Sequence, residues 1–200
     1  LMTPAGKLNV PERVEGLAEM AYNLWWSWHP PARNAFKNLD RSIWKRTGHN
    51  PVKMLRDIPY FQLVANSKDV NYLSLYDKSF QDFRNAMSLP DTWYEKAHPD
   101  YAKDTIAYFS LEFAVHNSLP LYAGGLGVLA GDYCKEASDS GIPLVCVGFM
   151  YPQGYFHQSI SADGWQNEIY SQVNFDDVAV SRLLTDDGKP AGVLFVARDM

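Results

Sequence analysis

The run Tyr122-Ala123-Gly124-Gly125-Leu126-Gly127-Val128-Leu129-Ala130-Gly131-Asp132 constrains the fold of this chain more than any other stretch. Gly124, Gly125 and Gly127 sit directly before a helix-like segment. Glycine lets a ligand approach the backbone closely. A helix that begins there points unpaired N–H groups, and the positive end of its dipole, at whatever lies in front. Upstream, Thr105–Ser110 reads as a strand. Downstream, Ile142–Met150 reads as a second strand, apolar enough to be fully buried. Strand, glycine turn, helix, strand is half of a doubly wound α/β domain, and ligands bind at such turns. The helix is expected from about Leu126 to Ser140, with Gly141 closing it.

The residues before Thr105 follow a different period. Pro11 can open a helix that carries Val14, Leu17, Ala21, Leu24, Trp25 and Trp28 at helical spacing, and Pro30-Pro31 stop it. A short helix over Ala32–Leu39 follows. Asp40 and Asn50 are suited to cap two more, and Ser67 a long one bearing Leu73, Tyr76, Phe80, Phe83 and Met87, which Pro90 ends. Residues 1–97 therefore read as a helical extension and 98–200 as the start of an α/β domain, joined at Ala97–Asp100. Further on, Gly154, Gly164 and the aromatics around them indicate loops and short strands. Asp186–Lys189 signals a hairpin between Val178–Leu184 and Ala191–Ala197. That last strand-like run, close before Met200, suggests a piece of a longer protein.

Composition narrows the function classes. The 46% hydrophobic content supports a packed core, and the net charge of −5 disfavours nucleic acid as a partner. No apolar run reaches transmembrane length, and the N-terminus lacks a signal-peptide core. The two cysteines, Cys134 and Cys146, form no CxxC pair and fall in apolar surroundings, which speaks for a reducing, cytoplasmic setting. No metal-ligand spacing joins His116 and His157, which read as structural or loop residues. Two candidate binding features remain. The glycine turn suits a phosphate or sugar hydroxyl, or serves only as a tight connection. Glu112, just beyond the first strand, is placed to contact ligand, or is a surface acid or helix cap. Asp132 reads as a helix-dipole partner. No Ser/His/Asp set and no paired carboxylates are readable, so half a binding site is visible and no complete catalytic machine.

Several motifs in order carry a resemblance. Ala107–Phe113, Leu119–Asp132, Gly154-Tyr155-Phe156-His157-Gln158 and Gly164-Trp165-Gln166 closely resemble the N-terminal catalytic region of α-glucan (glycogen/maltodextrin) phosphorylases. Asn23–Pro30, with Arg33 and Leu39-Asp40, resembles the helical extension of their bacterial and archaeal short-type branch. The resemblance implies a GT-B fold, two Rossmann-like domains facing a cleft. It implies reversible phosphorolysis: inorganic phosphate attacks the terminal α-1,4 bond of a glucan, giving α-glucose 1-phosphate with retention. Pyridoxal phosphate would assist, tied to a lysine beyond Met200. By motif, Gly124, Gly125 and Leu126 would offer N–H groups to phosphate and glucose, and Glu112 would line the glucose site. A homo-oligomer is compatible, and these 200 residues alone would be inactive.

The chain departs from the long animal and plant members at Ala114, Ala123 and Val128, where those carry an aromatic residue, Asn and Arg. Two other functions compete. A retaining GT-B glucan synthase usually has a Lys before its Gly-Gly, where Leu121, Tyr122 and Ala123 stand here. A non-catalytic glucan-binding module would use Trp25, Trp26 and Trp28, which fall on more than one helix face, although packing against another domain accounts for that equally.

Overall fold

The computed structural model describes residues 8–88, 91–154 and 156–191. Its first part is helical. In chain order stand α1 (Gly16–Tyr22), α2 (Pro30–Lys37), α3 (Arg41–Arg46), α4 (Pro51–Asp57), α5 (Tyr60–Asn66), α6 (Val70–Met87) and α7 (Trp93–Ala97). Two expected caps are made as the sequence indicates. Asp40 accepts from the Ile43 N–H at 2.7 Å, and Asn50 from the Lys53 N–H at 3.1 Å, each meeting an otherwise orphaned donor. α7 opens on a capping box between Thr92 and Glu95.

Three helical expectations need correction. The segment from Pro11 to Trp28 is not one helix. Asn23 adopts an extended conformation and its side chain accepts from the Trp25 N–H, so α1 ends and a 3-10 turn, Leu24–Ser27, begins. Pro30 and Pro31 start α2 instead of stopping its predecessor; their missing N–H groups fall where a helix leaves donors unpaired, and the His29 ring caps the Ala32 N–H. The long helix is capped by Asp69, not Ser67, because the separate helix α5 follows Pro59 and ends at Ser67. Pro90 lies outside the described residues.

These helices close on one core. Trp26, Phe36, Leu17, Met20, Met54, Leu63 and Phe83 are fully buried in it. Trp26 meets Phe36 and Trp44 edge-on at 6.0 and 5.9 Å, the arrangement ring quadrupoles favour. α1 comes so close to α6 that a Cβ on Gly16 would stand 2.4 Å from the Phe80 ring.

The second part begins with β1 (Ile106–Phe109), α8 (Gly125–Ser140) and β2 (Leu144–Val147). β1 and β2 pair in parallel from Ile106↔Leu144 to Phe109↔Val147, with α8 as the crossover between them. α8 ends where Gly141, at φ 72°, takes the left-handed conformation that L side chains avoid. Cys134 of α8 and Cys146 of β2 meet as free thiols, sulfurs 2.9 Å apart, and burial pushes the Cys134 thiol up to about 12. β2 is not fully buried: Val145 and Val147 are exposed, since among the described residues β2 pairs with β1 alone. The chain continues with β3 (His157–Ile160) and β4 (Gln166–Ile169), an antiparallel hairpin. The Asp186–Lys189 turn is formed, with the Thr185 N–H donating to the Lys189 carbonyl, and among the described residues its arms meet in the bridge Leu184↔Pro190 and the bond from the Ala191 N–H to the Leu183 carbonyl. The expected strand up to Ala197 lies outside the described residues beyond Ala191. Among the described residues, no helix is long and apolar enough to cross a membrane.

Candidate functional site

β1 ends at Phe109 and delivers the chain to a tight loop that leads to the glycine turn. The Ser110 hydroxyl donates to the Glu112 carbonyl at 2.9 Å, and the Phe113 N–H donates to the Leu121 carbonyl at 2.9 Å. This folds residues 110–121 back on themselves. Phe113, Ser118 and Leu119 are buried beneath the loop, while Glu112 stays at its rim.

Glu112 does not stand apart from the glycine turn. Its carboxylate accepts from the N–H groups of Gly124 and Gly127, each at 3.2 Å. The N–H groups of Ala123, Gly124 and Gly127 hold the carboxyl below its ordinary range, since each donor favours the charged form. Of the donors at the start of α8, Glu112 takes those of Gly124 and Gly127. The N–H groups of Gly125 and Leu126 have no partner among the described residues. They lie on the first turn, where the helix dipole is positive. So the structure brings Glu112, Gly124, Gly125 and Leu126 together in one cluster, with Glu112 acting as a long-range cap of α8.

The three glycines of the turn are glycine for different reasons. A Cβ on Gly127 would fall 2.5 Å from the Tyr122 Cβ and 3.0 Å from the Glu112 carboxylate. Packing inside the chain excludes a side chain there. At Gly124 and Gly125 a Cβ would meet nothing within 4 Å, and neither has a positive φ. What their missing side chains keep free is space outside the chain, in front of the open donors.

A cavity of about 280 Å³ lies between Glu112, Tyr122 and Ala123 on one side and Tyr151, Gln153 and Gly154 on the other. That is the size of the smallest ligand pockets, enough for a phosphate or one sugar ring. A larger cavity of about 560 Å³ runs beside Leu55, Arg56, Tyr60 and Asp177 in the helical part. Arg56 there already faces Asp176 and Asp177, and Glu112 takes no part in that cavity. Glu112, which holds the glycine turn, lines the smaller one, so the smaller one is the candidate site; Gly124, Gly125 and Leu126 lie just outside its lining. Tyr151 and Gln153 escaped the sequence reading. Their only signal was proximity to Gly154, and the bridge Gln153↔Gln172 that sets them is a long-range pairing.

Other residues that the sequence singled out lie apart from the turn's donors. Asp132 is exposed and pairs with Lys135 at 3.3 Å. His157 lies exposed on β3. His29, which precedes Pro30 and reads as a helix-terminus residue, caps α2 and stacks on Trp25 at 4.1 Å. Trp25 and Trp26 are buried in the helical core, and Trp28, partly buried against that core, donates its indole N–H to Asp139 of α8 at 3.1 Å. His116 is different: it joins the loop to the helical region, as argued below. Among the described residues, no cluster of His, Cys, Asp and Glu is built to hold a metal.

Residues 10–119 match the family described as "Protein of unknown function (DUF3417)", more than half of the sequence. The chain belongs to this family. The DUF3417 match takes in the helical region, β1 and Glu112, and stops before the glycine turn. The chain is also 40% identical over 184 residues to the maltodextrin phosphorylase of Thermococcus litoralis, covering 92% of this chain and 22% of that protein. It is 43% identical over 176 residues to the glycogen phosphorylase of Aquifex aeolicus, covering 88% of this chain and 24% of the relative. The glycogen phosphorylase of Mycobacterium tuberculosis is 40% identical over 189 residues, with 92% and 22% covered. The chain thus spans about a quarter of the length of the curated relatives it matches. No solved structure matches it.

Proposed function

We propose that this protein is an α-glucan phosphorylase and that this chain supplies the phosphate- and glucose-facing edge of its active site. The carrying observation is the pair of unpartnered N–H groups on Gly125 and Leu126, open toward solvent at the positive end of α8. The identity to maltodextrin and glycogen phosphorylases over most of the chain supports the substrate class. In this reading a phosphate oxygen bonds to C1 of the terminal glucose as the α-1,4 C1–O4 bond breaks, giving α-glucose 1-phosphate and a glucan one residue shorter, whose O4 takes up a proton. Gly125 and Leu126 donate to phosphate and sugar oxygens, and Gly124 joins them when the Glu112 carboxylate releases it. Donors fixed in the backbone need no reorganisation as charge shifts between phosphate and sugar, which is where preorganised dipoles lower a barrier most. Glu112, kept anionic by the turn, lines the glucose side and repels a phosphate that approaches there, leaving the Gly125–Leu126 side to the anion.

The chemistry also needs a proton source at phosphate, which pyridoxal phosphate supplies through its own phosphate when bound. The donors that this chain presents are backbone N–H groups, which suit an anionic oxygen; the lysine that ties the cofactor is assigned outside residues 1–200. The β1–α8–β2 crossover fits the opening unit of a GT-B Rossmann-like domain. Residues 1–97 form its helical extension and 98–200 its beginning. A cytoplasmic enzyme, compatible with a homo-oligomer, is the corresponding whole.

The test is release of glucose 1-phosphate from maltodextrin by the natural full-length protein loaded with pyridoxal phosphate. Release that requires inorganic phosphate is expected. Transfer from a nucleotide sugar without phosphate would return the function to a glucan synthase. Glucan binding with no turnover would make it a binding module.

A further inference from the structure

The loop between β1 and α8 is held from two sides. On one side it lies against the first turns of α8. The Ala114 N–H donates to the Gly127 carbonyl at 2.8 Å, and a Cβ on Gly131 would stand 2.3 Å from the Ala114 carbonyl oxygen. On the other side its tip enters the helical region. The His116 ring meets Trp26 edge-on, with centroids 4.6 Å apart, and Trp26 is locked between Phe36 and Trp44. The ring is fixed from its own side as well. Its Nδ1 accepts from the Ser118 N–H at 3.0 Å and lies 3.0 Å from the Ser118 hydroxyl, and Ser118 is buried.

The contacts therefore run without a break from the helical core to the ligand donors. Trp26 seats His116, the loop carries Ala114 onto Gly127, and Glu112 in the same loop holds the N–H groups of Gly124 and Gly127. We infer that the helical region of this DUF3417 chain buttresses the glycine turn in cis, with His116 as the positioning residue through which it acts. The role is geometric, not acid–base. The face that His116 meets is apolar, and His49, Arg33 and Lys135 around it all disfavour a further positive charge. What the turn binds once placed rests on the phosphorylase reading; the placing itself does not.

Amide hydrogen exchange on the full-length protein, followed on peptides spanning residues 123–128 and 70–87, tests this in wild type, His116→Ala and Ser118→Ala. His116→Ala is expected to raise exchange at the glycine turn about tenfold and to leave α6 within about twofold. It is also expected to raise KM for inorganic phosphate more than it lowers kcat, because the donors are misplaced and not removed. Ser118→Ala removes the hydroxyl beside Nδ1 and keeps the backbone N–H bond to it, so it frees the ring only in part and should give the same pattern at smaller size. Unchanged exchange at the turn in both variants overturns the inference. If His116→Ala loosens α6 as well, Ser118→Ala decides, since it leaves the aromatic core intact. Should the wild type release no glucose 1-phosphate while exchange follows this pattern, the phosphorylase reading fails and the buttress stands.

Discussion

The helical region and the β1–α8–β2 unit use their apolar residues in opposite ways. In the helices, Val14, Leu17, Met20, Phe36, Val52 and Met54 are withdrawn from solvent altogether. In the α/β unit, Phe109, Leu129, Val145 and Phe149 are more than half exposed. Most of the first region satisfies itself, α1 to α6 burying apolar residues against one another. The second is shaped by the backbone: a parallel ladder, a carboxylate cap and close approaches at Gly127 and Gly131. Parallel strands are ordinarily covered on both faces. Stability should therefore be concentrated in the helices, and ligand-facing groups in the unit that they steady.

The largest effect expected from this contrast is in the core. Phe36→Ala removes a fully buried ring packed on Trp26 and Trp44, and should cost about 3–5 kcal/mol in urea unfolding of the chain. Phe109→Ala, at a ring that is 72% exposed, should change the same measurement by less than about 0.5 kcal/mol. Equal costs would erase the distinction between the two regions.

Next in size is a comparison within the glycine turn. Gly127→Ala forces a Cβ onto Tyr122 and Glu112, and should destabilise by about 1–3 kcal/mol. Gly125→Ala meets nothing inside the chain, and at a helix position it should leave stability unchanged or raise it by up to about 1 kcal/mol. Its cost should appear in turnover instead, as a fall of about 10–100-fold in phosphate-dependent glucose 1-phosphate release by the full-length protein. A stable Gly125→Ala variant with full turnover would remove this glycine from the site.

The same comparison marks how much was legible in the sequence. The β1–α8–β2 order could be read, because short apolar runs, a glycine turn and a helix with Gly141 behind it are local signals. Asp40 and Asn50 could be read as caps for the same reason. The break at Asn23 could not, since an Asx bond competes with the helix on nearly equal terms and neighbouring packing decides. Nor could the start of the long helix, where Ser67 and Asp69 are both good caps and Pro59 allows an extra helix, Tyr60–Asn66, to claim Ser67 as its end. The site divides likewise. Gly124, Gly125, Leu126 and Glu112 were all singled out, but not that Glu112 already holds Gly124 and Gly127. That bond spans the folded loop and has no sequence period. His116 read as an ordinary loop residue because its partner Trp26 is distant in sequence.

A pH effect of about 1–2 kcal/mol should follow from that distant contact. Burial, helped by His49, Arg33 and Lys135, pushes the His116 imidazole down to about 4. An unfolded ring takes up its proton near pH 6.5, the folded one only near that lower value, so the unfolded state binds more protons in between. Stability is therefore complete above about pH 6.5 and falls as pH drops toward about 4. The full shift would correspond to about 3 kcal/mol, and partial exposure of the ring to solvent brings it to the lower figure. His116→Phe should flatten this slope, leaving the smaller part due to His29, whose ring burial also pushes down. Glu112 acts in a separate, more acidic window. Its carboxyl is held low by the turn, so its contribution is present above the ordinary carboxylate pKa and is lost as pH falls through the folded value. An unaltered slope in His116→Phe would place the titrating group elsewhere.

The smallest effect expected lies on the surface of the helical region. Arg13 grips Asp77 with two parallel bonds of 2.8 and 2.7 Å, joining the start of the chain to α6. The geometry is the strongest an exposed ion pair can adopt. Yet the side chains are 48% and 52% exposed, so water screens the attraction and both chains lose rotamer freedom to hold it. A double-mutant cycle of Arg13→Ala and Asp77→Ala should give a small coupling that shrinks further as salt is added. A large coupling, insensitive to salt, would mean that the helical region owes its stability to its surface as much as to its core. The comparison with the α/β unit would then have to be drawn between two charge patterns instead of between a closed core and an open one.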